Sequence, residues 1–467
     1  MRHTRLLVIP ILAALMFLVG ALPGRADVDG PGTFSNPYTI HLPSTLPQLT
    51  SWDIEWVDHN TLVVTDRNDK ALDIFDTEDA RYLRSSVNVD FAGINPTGAV
   101  CNMGGPNGVL IAKGDDAWAG GAGPGASSVA VVKLSNGSQV GADIPTGGKC
   151  RADELGFAPG EEEVMIGNPS ESTNTATPGL FNFETFISTK GTPGPNSVLA
   201  RLVYDGAGGP CTSVSGTSLG ITGETHNVQL CHTPAGANAG ESTETPAEPA
   251  DIASGGLEQP VFVHGYFWLA VPGSSTTIGH LDKIDPDSYQ VVDDIDLTGC
   301  GSGPTGLVVV SDTEGAAACP NGVTFVNFAT ESQDGGLVAE SGGADEIYYA
   351  NGNVYAVDSA DDASTGGCAD PTIVLVPATG SAPITGACLA VVSASSKSVI
   401  AEVRLPVGAR NVAAGDHKVF VPVKDLECTD TVTPCPPNST SSPTCPVIAE
   451  EGGCIHDQGV AVIIASP

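Results

Sequence analysis

The stretch LVVTDRNDKALDIFDTED, residues 62–79, contains two short apolar runs, a polar break between them and a second polar segment after them. Val, Ile and Phe are common in both runs, and such residues favour strands. Asn and Asp in the break favour a tight turn, because their side chains hydrogen-bond the neighbouring backbone. The stretch therefore predicts an antiparallel hairpin followed by a further turn.

The same unit recurs along the chain. Each copy has a short apolar strand, a tight turn, a second strand, a variable loop, a third strand and usually a fourth. Seven copies begin near Trp52, Pro106, Ala152, Leu257, Pro304, Ala344 and Ala409. Regular repeats of roughly 50 residues without helical periodicity favour a propeller over a two-sheet sandwich. We expect an all-β, seven-bladed β-propeller with four-stranded blades.

The two ends of the repeat region indicate how the ring closes. The seventh copy stops after its third strand, GVAVIIAS from Gly459, and the chain ends at Pro467. The segment PYTIHLP, residues 37–43, resembles the fourth strand VIAEVRLP from Val399 and precedes the first blade. We expect this N-terminal strand to complete the last blade, which would hide an open sheet edge.

The first residues have the features of an export signal. Arg2 and Arg5 precede an apolar run over residues 6–22, and Gly24, Arg25 and Ala26 follow it. This pattern predicts a secretory signal peptide, residues 1–26, and the alternative is a retained anchor. The run is short and contains Pro10, so the signal is favoured. Residues 27–467 are then one propeller domain, secreted or periplasmic, with no transmembrane segment in the mature chain.

Composition limits the partners. The formal net charge is −35, while 41% of the residues are hydrophobic, as in a folded protein. An acidic surface repels nucleic acid and anionic membranes, so neither is an expected partner. A small molecule, a glycan or a protein remains, and we expect a monomer.

Twelve cysteines follow the predicted cleavage site. An even number in an exported chain indicates disulfides, and close CxxC pairs that would suggest metal-thiolate sites are absent from the sequence. We expect bridges 101–150, 211–231, 300–319 and 368–388, and two more among Cys428, Cys435, Cys445 and Cys454. Two insertions, residues 206–256 and 426–457, would be disulfide-bearing loops on the face that carries the channel mouth.

The opening stretch resembles the YVTN-type propeller repeat. Over nearly the whole mature chain the sequence resembles the exported YVTN or YncE-like propellers, some of which are labelled lactonase-like. The literal YVTN tetrapeptide is absent, and insertions interrupt several blades. The resemblance implies a propeller fold and, as one candidate activity, hydrolysis of a lactone or related ester.

The first strand of each blade lines the channel of a propeller, and its first residues lie at one mouth. Alignment of the copies places seven residues at one equivalent position: Asp53, Asn107, Asp153, Glu258, Thr305, Asp345 and Arg410. The next position holds Ile54, Gly108, Glu154, Gln259, Gly306, Glu346 and Asn411. Converging carboxylates need a cation, a proton or an arginine between them. Asp53, Asp153, Glu258 and Asp345 are therefore predicted ligands of Ca²⁺ or another divalent cation.

Two functions and one structural explanation fit this rim. A binding propeller would use Asn107, Gln259, Arg410 and Asn411 on its ligand, and it needs no catalytic group. A cation-dependent hydrolase would draw its catalytic residues from Asp153, Glu154, Asp345, Glu346 and Arg410. Alternatively, Asp and Asn at a strand start only accept backbone hydrogen bonds in a turn. No HExxH motif occurs, and the serines show no GxSxG nucleophile elbow at a strand-to-helix turn, so we favour binding and leave enzyme activity open.

Overall fold

Alternating apolar strands and polar turns fold into seven small, mainly antiparallel sheets in a computed structural model of the protein. The structure describes residues 33–47, 49–95, 101, 103–123, 126–173, 176, 180–234, 256–273, 278–339, 343–358, 387–405, 409–415, 417–423 and 459–466. The predicted signal peptide and the insertion 426–457 lie outside these ranges. Among the described residues, no helix is long and apolar enough to cross a bilayer.

Each sheet is one blade, numbered here in chain order. The innermost strands are Trp52–Asp58, Val109–Ala112, Leu155–Ala158, Pro260–Val263, Leu307–Val309, Ala344–Ala350 and Ala413–Gly415. Every innermost strand contacts the innermost strand of the next blade, and that of blade 7 contacts that of blade 1. The seven strands thus form a closed ring around one axis, which confirms the seven-bladed propeller.

The second and third strands of every blade lie progressively further from this axis. The second strands are Thr61–Asp66, Asp116–Gly123, Glu163–Asn168, Tyr266–Val271, Glu314–Cys319, Asn353–Asp358 and Lys418–Val423. The third strands are Ala71–Asp76, Ala126–Lys133, Phe183–Ser188, His280–Asp285, Gly322–Asn327, Cys388–Ser393 and Gly459–Ser466. Their buried side chains form apolar layers between neighbouring blades, such as the edge-to-face contact of Phe186 with Phe267.

The outer strands vary most. They are Arg81–Ser85, Ile144–Pro145, Val198–Val203, Gln290–Asp296, Ser332–Gln333, Ser398–Arg404 and Thr33–His41. Thr33–His41 pairs antiparallel with Gly459–Ser466, so the N-terminal strand completes the last blade as predicted. In blade 2 a strand is expected from Gln139, but only Ile144–Pro145 forms one, after Gly141 at φ 72°. A residue with positive φ interrupts an extended strand.

Part of the insertion 206–256 is strand rather than loop, which corrects the prediction. Thr212–Ser215 and Asn227–His232 form a hairpin, and Asn227–His232 pairs in parallel with the outer strand Val198–Val203. The hairpin therefore extends blade 3 to six strands. Pairing satisfies the backbone groups that an outer strand would otherwise expose. A further short strand, Val338–Ala339, pairs within blade 5, and short 3₁₀ turns form at Glu171–Thr173, Pro195–Ser197 and Gly216–Leu219.

Three of the predicted disulfides are confirmed. Bridges join Cys101 to Cys150, Cys211 to Cys231 and Cys300 to Cys319. Cys388 is also disulfide-bonded, and its predicted partner Cys368 lies outside the described residues. The two bridges predicted among the last four cysteines lie outside them as well. The Cys211 to Cys231 bridge ties the added hairpin of blade 3 to the segment that leads into it.

Candidate functional site: an arginine and carboxylate mouth

The predicted rim residues converge where the innermost strands begin. Asp53, Asp153, Glu258 and Asp345 come from blades 1, 3, 4 and 6, and they interact electrostatically across the axis. Glu154 and Glu346, from the next position, join the same cluster. Radial symmetry explains this meeting, because each blade delivers the start of its innermost strand to the same height on the axis.

Two arginines that the alignment of first strands missed lie inside this cluster. Arg67, from the loop between the second and third strands of blade 1, forms an ion pair with Asp53 and donates to Asn107 Oδ1 from Nε at 3.0 Å. Arg151, two residues before Asp153, forms ion pairs with Asp153 and, at 3.4 Å, with Asp53. Arg67 lies within the stretch of residues 62–79, directly after Thr61–Asp66, the second strand of blade 1. Its position in the loop between the second and third strands, which lies beside the channel mouth, could have identified Arg67 from the sequence.

Arg410 has the third guanidinium group of the mouth. It forms an ion pair with Asp345, with Nε donating to Oδ2 at 2.9 Å. The Arg410 side chain is 44% exposed and that of Asp345 31%, whereas Asp53 is only 5% exposed. The Asp345 and Arg410 pair therefore lies nearest to solvent, beside a cavity of about 240 Å³ that Thr305 and Pro320 also line.

A seventh carboxyl group, Glu55, was also missed. The pairing of Trp52–Asp58 with its neighbour shifts between Trp52 and Glu55, which moves Glu55 into the axial cluster beside Asp53 and Asp345. Both of its carboxyl oxygens lack a hydrogen-bond partner among the described residues. The alignment had placed Ile54 at this height, but Ile54 packs in the apolar layer between blades 1 and 2. Such an irregular pairing cannot be read from residue spacing.

Neutral rim residues connect consecutive blades. The Asn107 side chain donates to Ala152 O of blade 3 at 3.0 Å, and Thr305 Oγ1 donates to Ala344 O of blade 6 at 2.7 Å. Asn411 Nδ2 donates to Asp53 O at 2.5 Å. In the opposite direction, Leu307 N–H donates to Gln259 Oε1 at 2.9 Å. These four residues therefore hold neighbouring blades in register, and a role of Asn107, Gln259 and Asn411 in ligand binding stays a prediction.

Glycine at the second rim position has a steric cause. A Cβ on Gly108 would lie 2.0 Å from Asp153 O, and one on Gly306 would lie 2.8 Å from the Cα of Glu346. Because glycine has no Cβ, blades 2 and 5 leave room at this position for the backbone of blades 3 and 6, respectively. In both cases that following blade brings a glutamate, Glu154 or Glu346, to the axis.

The carboxyl groups differ in the pKa that this environment gives them. Burial would raise the pKa of Asp53, but Arg67, Arg151 and Arg410 lower it below its usual value. Burial, the largest effect, raises the pKa of Asp153 to about 7, with Arg151 opposing the rise and Asp53 adding to it. Burial together with Asp345 and Asp153 raises the pKa of Glu258 to about 8. Asp53 is thus the anion of the arginine pairs, while Glu258 is mostly protonated at neutral pH.

Among the described residues, the charged neighbours that most affect Glu154 and Glu346 are other acids. Burial, followed by Glu346 and Glu258, raises the pKa of Glu154 well above its usual value. Burial, followed by Asp345 and Glu55, does the same for Glu346. Glu154 Oε2 and Glu346 Oε1 have no hydrogen-bond partner in the described part of the chain. The Glu154 side chain hydrogen-bonds the Glu258 carboxyl group, so one of the two must be protonated.

The divalent-cation site stays a prediction. Carboxylate oxygens are suitable donors for Ca²⁺, but Arg67, Arg151 and Arg410 already pair with three of the four predicted ligands, Asp53, Asp153 and Asp345. Within the described ranges, no three His, Cys, Asp or Glu side chains are placed to hold one metal ion. The arrangement that is present is a surplus of acids around three arginines.

Comparisons with known proteins add little about function. No family model matches the sequence, and no curated protein matches it. The chain is similar to the crystal structure of the computationally designed Ika8 protein, with 9% identity and a TM-score of 0.45 over 84% of this chain and 97% of that one. It is also similar to the WD40 domain of Neurospora crassa Pan2, with 10% identity and a TM-score of 0.43 over 85% and 88%. Both likenesses are weak, so the fold is established by the seven sheets and their closed ring of contacts.

Proposed function

We propose that the protein is a binding propeller whose acidic mouth holds a cationic group of a ligand or partner. The observation that supports this is the imbalance of charge at the mouth. Among the described residues, seven carboxyl groups meet three arginines there: Asp53, Glu55, Asp153, Glu154, Glu258, Asp345 and Glu346 against Arg67, Arg151 and Arg410. Converging acids either keep protons or attract positive charge.

Glu258 and Asp345 are the groups that would contact the ligand. Both are half-buried, and they repel each other across the mouth, which is one cause of the raised pKa of Glu258. An ammonium or guanidinium group between them would favour the ionised form of Glu258. Binding near neutral pH would therefore release about one proton, because the pKa of a carboxyl group falls beside a cation.

Calorimetry with agmatine, which has both kinds of cationic group, tests the proposal. Titrations near pH 7 in two buffers of different ionisation enthalpy report the protons released. We expect binding with proton release in the wild type, and weaker binding without release in Glu258→Gln. The matched control is Glu161→Gln, which makes the same charge change at an exposed turn on the other face. Equal binding by wild type and Glu258→Gln, or none by either, would refute the proposal.

Parallel titrations with Ca²⁺, Mg²⁺ and Mn²⁺, before and after EDTA treatment, address the divalent cation that the sequence suggests. If a metal ion binds and raises the melting temperature and agmatine does not, the ligand of the mouth would be a metal ion rather than an organic cation. The lactone or ester hydrolase stays the alternative, in line with the YVTN and YncE-like resemblance. The hydrolase would be favoured if the wild type turns over a lactone and the variants Asp153→Asn and Asp345→Asn do not.

We also infer that the protein is exported. The three disulfides, Cys101 to Cys150, Cys211 to Cys231 and Cys300 to Cys319, support this, because such bridges persist in oxidising compartments. Fractionation of the native host, with the N-terminal residue of the mature protein determined by sequencing, is the direct test.

A further inference from the structure

The opposite end of the channel has a different chemistry. A cavity of about 310 Å³ lies along the innermost strands and extends to their ends, and its lining includes Trp56, Phe157, Phe262, Tyr348 and Tyr349. Trp56 and Tyr348 follow the rim residues Asp53 and Asp345 by three positions, which is about 10 Å along a strand. The remaining lining residues that the structure describes are aliphatic residues, Gly156, Pro260 and Gln259, and none of the described lining residues has a charged side chain. One end of the channel is thus acidic and the other is aromatic.

Gln259 gives this cavity one defined polar point. The residue is only 5% exposed, and it lines the cavity. Its Oε1 accepts the hydrogen bond from Leu307 N–H, which fixes the orientation of the amide. The hydrogen bond of this side chain to the described residues is made by Oε1, not by the amide Nε2. Because Gln259 lines the cavity, its amide N–H can donate to an acceptor of a bound molecule.

The hydroxyl group of Tyr348, another lining residue, is already engaged. Tyr348 Oη donates to Val57 O at 2.6 Å, and the Tyr348 ring packs edge-on against Trp56 at 6.0 Å between centroids. The Tyr348 ring is therefore held as a wall of the cavity. A ligand would meet aromatic and aliphatic surfaces with the Gln259 amide as a hydrogen-bond donor.

We propose that this cavity binds a neutral, flat apolar molecule of about two fused rings with one carbonyl-type acceptor. The size follows from the volume, since an engineered cavity of ~150 Å³ takes one benzene ring. Neutrality follows from the uncharged lining, because an ion would lose its hydration without a counter-charge. The acceptor follows from Gln259 Nε2. Gln259 lies between this cavity and the acidic mouth, but the aromatic residues that form the cavity are not those proposed to bind a cation, so the inference does not depend on the function proposed for the mouth.

A matched pair of probes tests the site, 2-acetylnaphthalene and 2-ethylnaphthalene, which differ chiefly in the carbonyl oxygen. Equilibrium dialysis against the full-length mature protein gives both dissociation constants. We expect one molecule bound per chain and about fivefold tighter binding of the ketone, the gain that one neutral hydrogen bond typically supplies. Absence of binding by both probes, or equal affinity for the two, would overturn the proposal.

Variants locate the binding. Val261→Phe adds volume inside the cavity and should weaken both probes at least tenfold, while Val292→Phe makes the same change at an exposed position of the same blade and should change neither. Gln259→Met should remove the preference for the ketone; if this variant fails to fold, Val261→Phe still decides. Unchanged binding by Val261→Phe would place the probes elsewhere. A wild-type dimer in sedimentation that Val261→Phe dissociates would show that a second copy covers the cavity, which would also refute the proposal.

Discussion

Replacing Asp153 by Asn should change how the stability of the protein depends on pH. Asp153 is 1% exposed, and its pKa is raised from 3.8 to about 7, first by burial and then by Asp53 against the opposing effect of Arg151. The folded protein therefore keeps a proton on Asp153 at pH values where the unfolded chain has released it. Stability from this group is complete below about pH 4 and is lost as pH rises through about 7.

The size of the effect follows from the shift. One pKa unit corresponds to about 1.4 kcal/mol, so a rise of about three units costs about 4 kcal/mol once both states are ionised. Part of that loss has already occurred by about pH 5, and about 3 kcal/mol remains to be lost between about pH 5 and pH 8. Asn at position 153 does not titrate. Relative to the wild type, the variant should therefore gain about 3 kcal/mol over this window.

Urea unfolding with the disulfides intact, repeated across this range of pH, measures the difference. Asp312→Asn, at an exposed turn in blade 5, is the control and should follow the wild-type dependence on pH. A constant offset between Asp153→Asn and wild type at every pH would mean that Asp153 is ionised throughout. The arginines would then dominate over burial, and our account of the proton balance in the mouth would be wrong.

Three further predictions concern the structure around the site. Arg67→Met should cost about 3–5 kcal/mol in urea unfolding because it leaves Asp53 buried and with fewer partners, whereas Arg81→Met, at a residue whose side chain is 59% exposed, should stay within about 1 kcal/mol. Replacing Cys211 and Cys231 together by Ser should lower stability by about 2–4 kcal/mol and speed amide hydrogen exchange in Asn227–His232 but not in Leu155–Ala158. Ile40→Ala, at a buried position of the closing strand, should cost about 2–4 kcal/mol and lose exchange protection in blade 7, while the exposed Pro43→Ala should change little.

The repeats could be predicted from sequence because each strand is a local pattern. Ala71–Asp76, Phe183–Ser188 and Gly459–Ser466 begin at the residues where their apolar runs begin. Polar turn residues bound these runs, so neither end depends on distant contacts. Closure by Thr33–His41 was equally accessible, since a missing outer strand and a spare apolar segment were both visible.

The composition of the mouth depended on contacts that spacing does not encode. The carboxylates were found because they share one position in the repeat. Arg67 comes from a different loop of the blade, and Arg151 from a connection between blades, so no common position links them to Asp53. The parallel pairing of Asn227–His232 with Val198–Val203 was missed for a similar reason. The insertion looked like a loop, and pairing at a sheet edge is decided by tertiary contacts.

Three of the acids at the mouth, Asp153, Glu154 and Glu346, oppose folding in their ionised forms. At the same positions of other blades, Asn107, Thr305, Asn411 and Gln259 make the connections to the next blade with neutral groups. Burial raises the pKa of Asp153, Glu154 and Glu346, which means that their ionised forms oppose folding. Amides would connect the blades without this penalty. Since stability alone would favour amides at these three positions, their carboxyl groups are consistent with the proposed binding of a cationic ligand at the mouth.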